Sequence, residues 1–124
     1  MVAVRRSNTI LYSDRWTEMV AFYRGVLALR VEFENDWFVE FAVGPDAFVS
    51  IANAARSTIP SGTGAGLTLS WRVADVYEVR SDLLRLGVDV GEVGTRWGAE
   101  VVDVFDPAGN RLEFWNHTVT SSIG

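Results

Sequence analysis

The sequence predicts an α+β fold made of two tandem βαβββ modules, with a curved mixed sheet, helices on its convex side and a ligand cavity on its concave side. Three observations predict it. The chain has 124 residues, of which 48% are hydrophobic and 22% charged, as in one globular domain. Each half contains one helical pattern followed by three strand-like runs, and the pattern repeats after roughly 60 residues. We therefore expect a single domain over 1–124, with repeats at about 1–53 and 67–119 and a connection at about 54–66.

The first half begins with a strand and continues into an amphipathic helix. In the segment SDRWTEMVAFYRGVLAL, Ser13 or Asp14 is the expected N-cap. The apolar residues follow the spacing of one helical face and are Trp16, Met19, Val20, Tyr23, Val26 and Leu27. Three β-rich runs follow, LRVEFE, WFVEFAV and AFVSIAN, and the turn formers between them predict a meander.

The second half repeats this order after a connection, AARSTIPSGTGAG, that is poor in large apolar residues. A strand in LTLSWRVADVY precedes a helix in VYEVRSDLLRLG, which Gly87 ends. The expected apolar side of this helix consists of Val76, Val79, Leu83, Leu84 and Leu86. Three further strands are predicted in VDVGEV, GAEVVDVFD and RLEFWNHTV.

Composition and charge exclude several classes of function. The net charge of −5 argues against a nucleic-acid partner and favours a cationic ligand. The absence of cysteine excludes disulfides, thiolate metal sites and cysteine nucleophiles. No apolar run is long enough to span a bilayer, and the N-terminus lacks the apolar region of a signal peptide. We expect a cytoplasmic protein without a membrane partner.

Glu113 is the residue whose placement most needs an explanation. It follows the turn in FDPAGNRLEFW and alternates with apolar residues on the predicted strand. The internal repeat aligns it with Ser50. Its carboxylate either points into a cavity, where it contacts a ligand, or forms a structural ion pair with Arg111 or Arg72; Glu40 has the same ambiguity.

The segments AFYRGVLAL and DPAGNRLEFW, together with the repeat between them, resemble the vicinal oxygen chelate superfamily, also called the glyoxalase/bleomycin-resistance/dioxygenase fold. The resemblance covers nearly the whole chain. It implies paired βαβββ modules, a homodimer and a cavity enclosed by the sheet. Members of the superfamily range from metal-dependent lyases and dioxygenases to proteins that only bind antibiotics, so the fold alone leaves the function open.

The same resemblance identifies the positions where metal-using members hold a divalent ion. Here these positions are Asn8 (or Ser7), Ser50, Thr68 and Glu113. Only Glu113 is a usual ligand, and one carboxylate is too poor a set for zinc, iron, nickel or manganese. His117 would be about 13 Å from Glu113 along an extended strand, too far to share an ion. We therefore expect neither a metal nor another cofactor.

Tryptophan is abundant, with five residues in the chain. Trp16 is expected in the core, whereas Trp37, Trp71, Trp97 and Trp115 either belong to the core or line the cavity. On a regular strand Trp115 shares a face with Glu113. The segment TRWGAEVVDVFDPAGN resembles the bleomycin-resistance members, in which a Trp-Gly pair precedes this strand, and so indicates Trp97 and Gly98 as ligand-binding residues.

Two functions remain open at this point. The first is a metal-free protein that sequesters an aromatic, cationic natural product or antibiotic and so gives self-resistance. The second is an isomerase, cyclase or lyase with Glu113 as its general base, in which polar side chains orient the substrate. The candidate polar side chains are Asn8, Tyr12, Ser50 and Thr68.

Overall fold

Residues 1–118, which the computed structural model describes, form two four-stranded sheets, one in each of two compact units. The first unit is Met1–Ala65. A π-helical turn over Phe22–Val26 continues its helix, and a short 3-10 helix over Ala54–Arg56 follows its last strand. Its remaining elements are β1 (Ser7–Ser13), α1 (Trp16–Ala21), β2 (Arg30–Glu34), β3 (Phe38–Ala42) and β4 (Ala47–Asn53).

The second unit starts at Gly66 and has the same order of elements. They are β5 (Thr68–Arg72), α2 (Val76–Arg85), β6 (Gly94–Arg96), β7 (Ala99–Phe105) and β8 (Arg111–His117). The two tandem βαβββ modules predicted from the sequence are thereby confirmed.

Both sheets have the same mixed topology. The strand order is β1-β4-β3-β2 in the first unit and β5-β8-β7-β6 in the second. In each, the first strand runs parallel to the last and the other pairs are antiparallel. The parallel pair arises because the helix returns the chain to the start of the second strand, and two antiparallel connections then follow. Strand pairing within 1–118 thus divides the expected eight strands between two sheets instead of one continuous sheet.

Each sheet buries one face against its own helix. Alternation along the strands separates this apolar face from an opposite face that carries polar side chains. On the apolar face of the first unit the buried strand residues are Leu11, Val39, Phe41, Val49 and Ile51. In the second unit they are Leu69, Val102, Val104, Leu112 and Phe114. Function therefore has to be sought on the opposite faces.

The first helix differs from the prediction at its start. The residue before it is Arg15, which has no side-chain cap, so neither Ser13 nor Asp14 is the N-cap. Ser13 Oγ instead accepts a hydrogen bond at 2.9 Å from the backbone N–H of Arg15, which precedes the first helical residue, Trp16. Trp16, expected in the core, is half-buried.

The second half differs from the prediction in two places. Leu84 and Leu86 are exposed, because only Val76 and Leu83 of α2 are buried against the sheet. The segment VDVGEV forms no strand: the carbonyl of Gly91 accepts a hydrogen bond from Arg80 of α2, and β6 begins later. Gly87 does end the helix, with a φ of +78°.

Neither helix within 1–118 has the length and hydropathy needed to cross a bilayer.

Candidate functional site

The turn between β7 and β8 sets the register that positions Glu113. Asp106 Oδ1 accepts hydrogen bonds from the backbone N–H groups of Ala108 and Asn110, at 3.0 and 2.9 Å, and Gly109 has a φ of +89°. This closed turn places Asp103 directly opposite Glu113. Both side chains project from the face of the sheet that α2 does not cover, as their alternation with buried residues requires.

Glu113 is the centre of a closed polar network. Its Oε1 accepts a hydrogen bond from the hydroxyl of Ser70 at 2.6 Å, and its Oε2 accepts one from Arg96 Nη1 at 2.8 Å. Arg96 also pairs with Asp103. The partner of Glu113 is therefore Arg96, whereas the sequence pointed to Arg111 or Arg72. Both carboxylate oxygens are already engaged.

Arg96 is held between two carboxylates. Its hydrogen bond to Asp103, assisted by the charges of Asp103 and Glu113, raises the pKa of the guanidinium above its already high ordinary value. Arg96 is thus a permanent positive charge. Its side chain retains 38% of its exposure, so solvent or a ligand can still reach it.

A tight hairpin turn next to Arg96 carries Trp97. Arg96 pairs with Ala99 across the end of the hairpin, so the loop has only two residues, Trp97 and Gly98, with φ of +46° and +74°. Two consecutive positive φ values are typical of a type I′ turn, where Asn or Gly is usual and a bulky side chain is rare. The Trp97 side chain is fully exposed. The turn therefore presents a large aromatic ring to solvent in an unfavourable backbone conformation.

The network and this turn border a cavity of about 400 Å³ within the second unit. Its walls combine aromatic, polar and small apolar side chains from β5, the β6–β7 hairpin and β8. They are Ser70, Arg96, Trp97, Ala99, Val101, Glu113, Trp115 and His117. The cavity lies on the sheet face opposite α2.

Two aromatic rings on β8 form one wall of the cavity. The imidazole of His117 packs edge-on against the Trp115 ring, with centroids 5.3 Å apart and an interplanar angle of 82°. The guanidinium of Arg72 lies 5.8 Å from the Trp115 ring centroid. The sequence placed His117 too far from Glu113 to share a metal ion with it. In the structure His117 contributes to the cavity wall as an aromatic ring.

The corresponding face of the first unit carries a second polar network. Arg6 pairs with Glu40 at 2.7 Å, and Asn8 donates a hydrogen bond to the same carboxylate at 3.1 Å. Ser50 donates to Asn8 Oδ1 at 2.8 Å. The guanidinium of Arg6 also lies 3.7 Å from the centroid of the Phe48 ring. The ambiguity of Glu40 is resolved here as an ion pair.

The positions that hold a metal in metal-using members do not fit a metal ion in this chain. Asn8 and Ser50 bond to each other, and Thr68 accepts a hydrogen bond from Arg111 at 3.0 Å. Glu113 lies beside the positive charge of Arg96, which would oppose a divalent cation. Within 1–118, no three His, Asp or Glu side chains are grouped so that they could hold an ion. The donor set is that of a polar network, not of a zinc or iron site.

Several of the sequence-predicted site residues meet in the second unit. Trp97, Glu113 and Trp115 line the same cavity, and Gly98 completes the turn that carries Trp97. Thr68 projects from the same face of β5 as Ser70, but it is not part of the cavity wall.

The other candidates lie elsewhere. Asn8, Tyr12 and Ser50 share one face of the first sheet, by their alternation and pairing across β1 and β4. Trp37 precedes β3 and packs edge-on against Phe38, with centroids 5.5 Å apart. Trp71 packs on Phe114 on the helix-covered face of the second sheet, so it does not share a face with Glu113.

Sequence reasoning missed the charged partners of Glu113. One usable signal was present: a turn centred on Ala108 pairs positions 103 and 113 automatically, which places Asp103 beside Glu113. Arg96 could be found in the same way, because a two-residue Trp97-Gly98 turn sets it next to β7. Ser70 required knowledge of the parallel register of β5 and β8, which no local turn fixes.

A family model supports the fold and the placement of these elements. The model of the Glyoxalase/Bleomycin resistance protein/Dioxygenase superfamily matches residues 6–114. The chain belongs to this superfamily. No curated protein sequence matches the chain.

Solved structures of similar fold come from proteins with different roles. TnmS3, an antibiotic-binding protein from Streptomyces sp. CB03234, superimposes with a TM-score of 0.79 at 18% identity, covering 95% of this chain and 99% of its own. Lactoylglutathione lyase from Agrobacterium tumefaciens gives a TM-score of 0.73 at 22% identity, with coverages of 91% and 93%. Virulence protein STM3117 from Salmonella typhimurium gives 0.77 at 16% identity, with coverages of 95% and 100%. At these identities the structural similarity establishes the fold, and the function has to be inferred from the residues of the site.

Proposed function

We propose that the protein binds a planar aromatic small molecule, a natural product or antibiotic, in the cavity of its second unit and sequesters it unchanged. The observation that carries this proposal is Trp97, a fully exposed ring held at positive φ on the rim of a cavity whose wall contains Trp115. An unfavourable backbone conformation that displays an apolar ring is a feature of functional sites. A planar ligand stacked on these rings would remove their apolar surface from water.

The state of Glu113 favours binding over acid–base chemistry. Both oxygens of Glu113 accept hydrogen bonds, one of them from the positively charged Arg96, and this pairing stabilises the ionised carboxylate instead of its protonated form. The network instead holds Ser70, Arg96 and Glu113 in fixed positions in the cavity wall, where a ligand can contact them. The likeness of fold to TnmS3 agrees with an antibiotic-binding role, and the likeness to lactoylglutathione lyase is the reason to measure turnover as well.

The proposal is tested by titrating the protein with bleomycin-like, quinoxaline-type and other aromatic natural products while intrinsic tryptophan fluorescence is recorded. Saturable quenching is expected for planar ligands, and mass spectrometry should recover each ligand unchanged. Trp97→Asn keeps a residue suited to positive φ but removes the ring, so it should weaken binding about tenfold to a hundredfold.

Trp71→Phe is the matched control, because Trp71 lies on the other face of the sheet against Phe114. Its affinity should equal that of the wild type. Equal losses in Trp97→Asn and Trp71→Phe, or conversion of the ligand into a product, would contradict sequestration in this cavity.

A further inference from the structure

The cavity wall presents the positively charged Arg96, whereas Glu113 in the same wall is already paired with it, and this arrangement defines the polarity of the ligand. We infer that the cavity takes a planar aromatic molecule bearing hydrogen-bond acceptors, uncharged or anionic, and that Arg96 is the residue that selects it. The inference rests on the proposed function, since it specifies the ligand class of the same cavity. It differs from the cationic ligand expected from the net charge of the chain.

Glu113, the one carboxylate among the described residues that line the cavity, already accepts a hydrogen bond on each of its oxygens. Both oxygens of Glu113 accept hydrogen bonds, from Ser70 at 2.6 Å and from Arg96 at 2.8 Å. Asp103, which is next to Glu113 on the sheet but does not line the cavity, is paired with Arg96 through both of its oxygens. A ligand ammonium could reach these carboxylates only beside the positive charge of Arg96, which repels it.

The donors in the wall are only partly used. A guanidinium has five N–H donors and no acceptor. Three hydrogen bonds to Asp103 and Glu113 occupy its two terminal nitrogens, which leaves Nε–H and one terminal N–H within the described structure. The indole rings of Trp97 and Trp115 also carry a donor and no acceptor. A carbonyl, ether, carboxylate or sulfonate oxygen can pair with these groups while the ring stacks.

The charges near the cavity also disfavour a cation. The positive charges of Arg96 and Arg111, which lies 3.9 Å from Asp103, balance the negative charges of Asp103 and Glu113. Arg72 supplies a further positive charge 5.8 Å from the Trp115 ring. The Trp115 ring could otherwise attract a ligand cation, but the Arg72 guanidinium already lies beside it.

A matched series of naphthalenes separates the alternatives in the wild-type protein. Naphthalene-2-sulfonate, 2-acetonaphthone and 2-naphthyltrimethylammonium share one ring system and differ in charge and in acceptors. Calorimetric titrations should show that the sulfonate and the ketone bind about tenfold or more tightly than the ammonium, the effect of one charge-assisted hydrogen bond. Tighter binding of the ammonium would overturn the inference while leaving aromatic binding intact. No binding by any of the three would overturn the proposed function and the inference together.

Arg96→Met tests the residue itself. The substitution removes the donors and leaves Asp103 and Glu113 without their main partner, so the order of affinity should reverse in favour of the ammonium. Arg85→Met removes one positive charge from the exposed surface of α2 and should leave the order unchanged. An unchanged order in folded Arg96→Met, or the same reversal in Arg85→Met, would refute the role of Arg96. If Arg96→Met does not fold, the wild-type series still decides the ligand class, and Arg96→Lys should lose most of the preference because a single ammonium replaces the planar fork.

Discussion

Glu113 and Trp97 show how single residues define this site. Glu113 has the position of a metal ligand or a base, but Arg96 and Ser70 convert it into a fixed part of the cavity wall. Trp97 is the opposite case, because its ring has no part in the core and its backbone adopts a conformation that favours glycine. Glu113 therefore helps to fix the polar network, and Trp97 provides apolar surface that a ligand can contact.

Glu113→Gln separates binding from catalysis. The amide keeps one acceptor oxygen for Ser70 or Arg96 but loses the charge, so a binding protein should change its ligand affinity less than about tenfold. An enzyme that used Glu113 as its base would instead lose roughly 10²–10⁴ in rate while still binding substrate. The measurement is parallel titration and product analysis of wild type and variant.

Glu78→Gln is the control for that experiment, since Glu78 is an exposed carboxylate in the first turn of α2. Turnover that is present in the wild type and in this control but abolished in Glu113→Gln would establish the enzyme.

At the scale of the elements, α2 is fastened to its sheet through its first turn. The backbone N–H of Val76 donates to Asn116 Oδ1 at 2.7 Å, and Asn116 donates to Glu100 at 3.2 Å. Asp75 caps the helix by accepting from the backbone N–H of Tyr77. Glu100 also interacts with the Tyr77 phenol, so the helix start is linked to both β7 and β8.

This link predicts a pH dependence. The hydrogen bond to Glu100, with its negative charge, raises the pKa of Tyr77 above the ordinary value of about 10. Because folding favours the neutral phenol, its contribution to stability is present below the ordinary pKa and is lost as pH rises through the folded value. Ultraviolet difference spectra between wild type and Tyr77→Phe should place this titration above that of free tyrosine. Glu100→Gln should move it back, and a Tyr77 titration at the ordinary value in the wild type would refute the link.

The secondary-structure elements and the positions of Glu113 and Trp115 in the site follow from local signals in the sequence. The turn around Ala108 and strict alternation on β8 place Glu113 and Trp115 on one face, as predicted. The features that were predicted wrongly have a common cause: they are set by contacts between residues that are distant in sequence. The segment VDVGEV has a strand-like pattern but is tied to α2 through Arg80, and Trp71 turns towards Phe114 instead of the cavity. The partners of Glu113 depend on pairing between β5, β7 and β8.

The two sheets repeat one topology but differ in chemistry. Both open faces carry an arginine–carboxylate network, Arg6 with Glu40 in the first unit and Arg96 with Asp103 and Glu113 in the second. Arg96 and Glu113 of the second network border the tryptophan-lined cavity. The repeat therefore supplies two scaffolds, of which the second has the features of a binding site.

We predict that the protein is a homodimer. Each sheet ends on two edge strands, β1 and β2 in the first unit and β5 and β6 in the second, and unpaired edges favour association. Light scattering should give twice the chain mass of 13.7 kDa across a dilution series. A mass of one chain at micromolar concentration would contradict this prediction.

We expect a planar aromatic ligand to bind between the rings of Trp97 and Trp115. Indole N–H resonances of the five tryptophans report on it directly in two-dimensional NMR spectra of labelled protein. During titration with the naphthalene that binds most tightly, the Trp97 and Trp115 resonances should shift saturably and with one dissociation constant, while Trp71, on the opposite face of the sheet, should not move. Unchanged Trp97 and Trp115 resonances, or a saturable shift at Trp71 alone, would contradict ligand binding between these two rings.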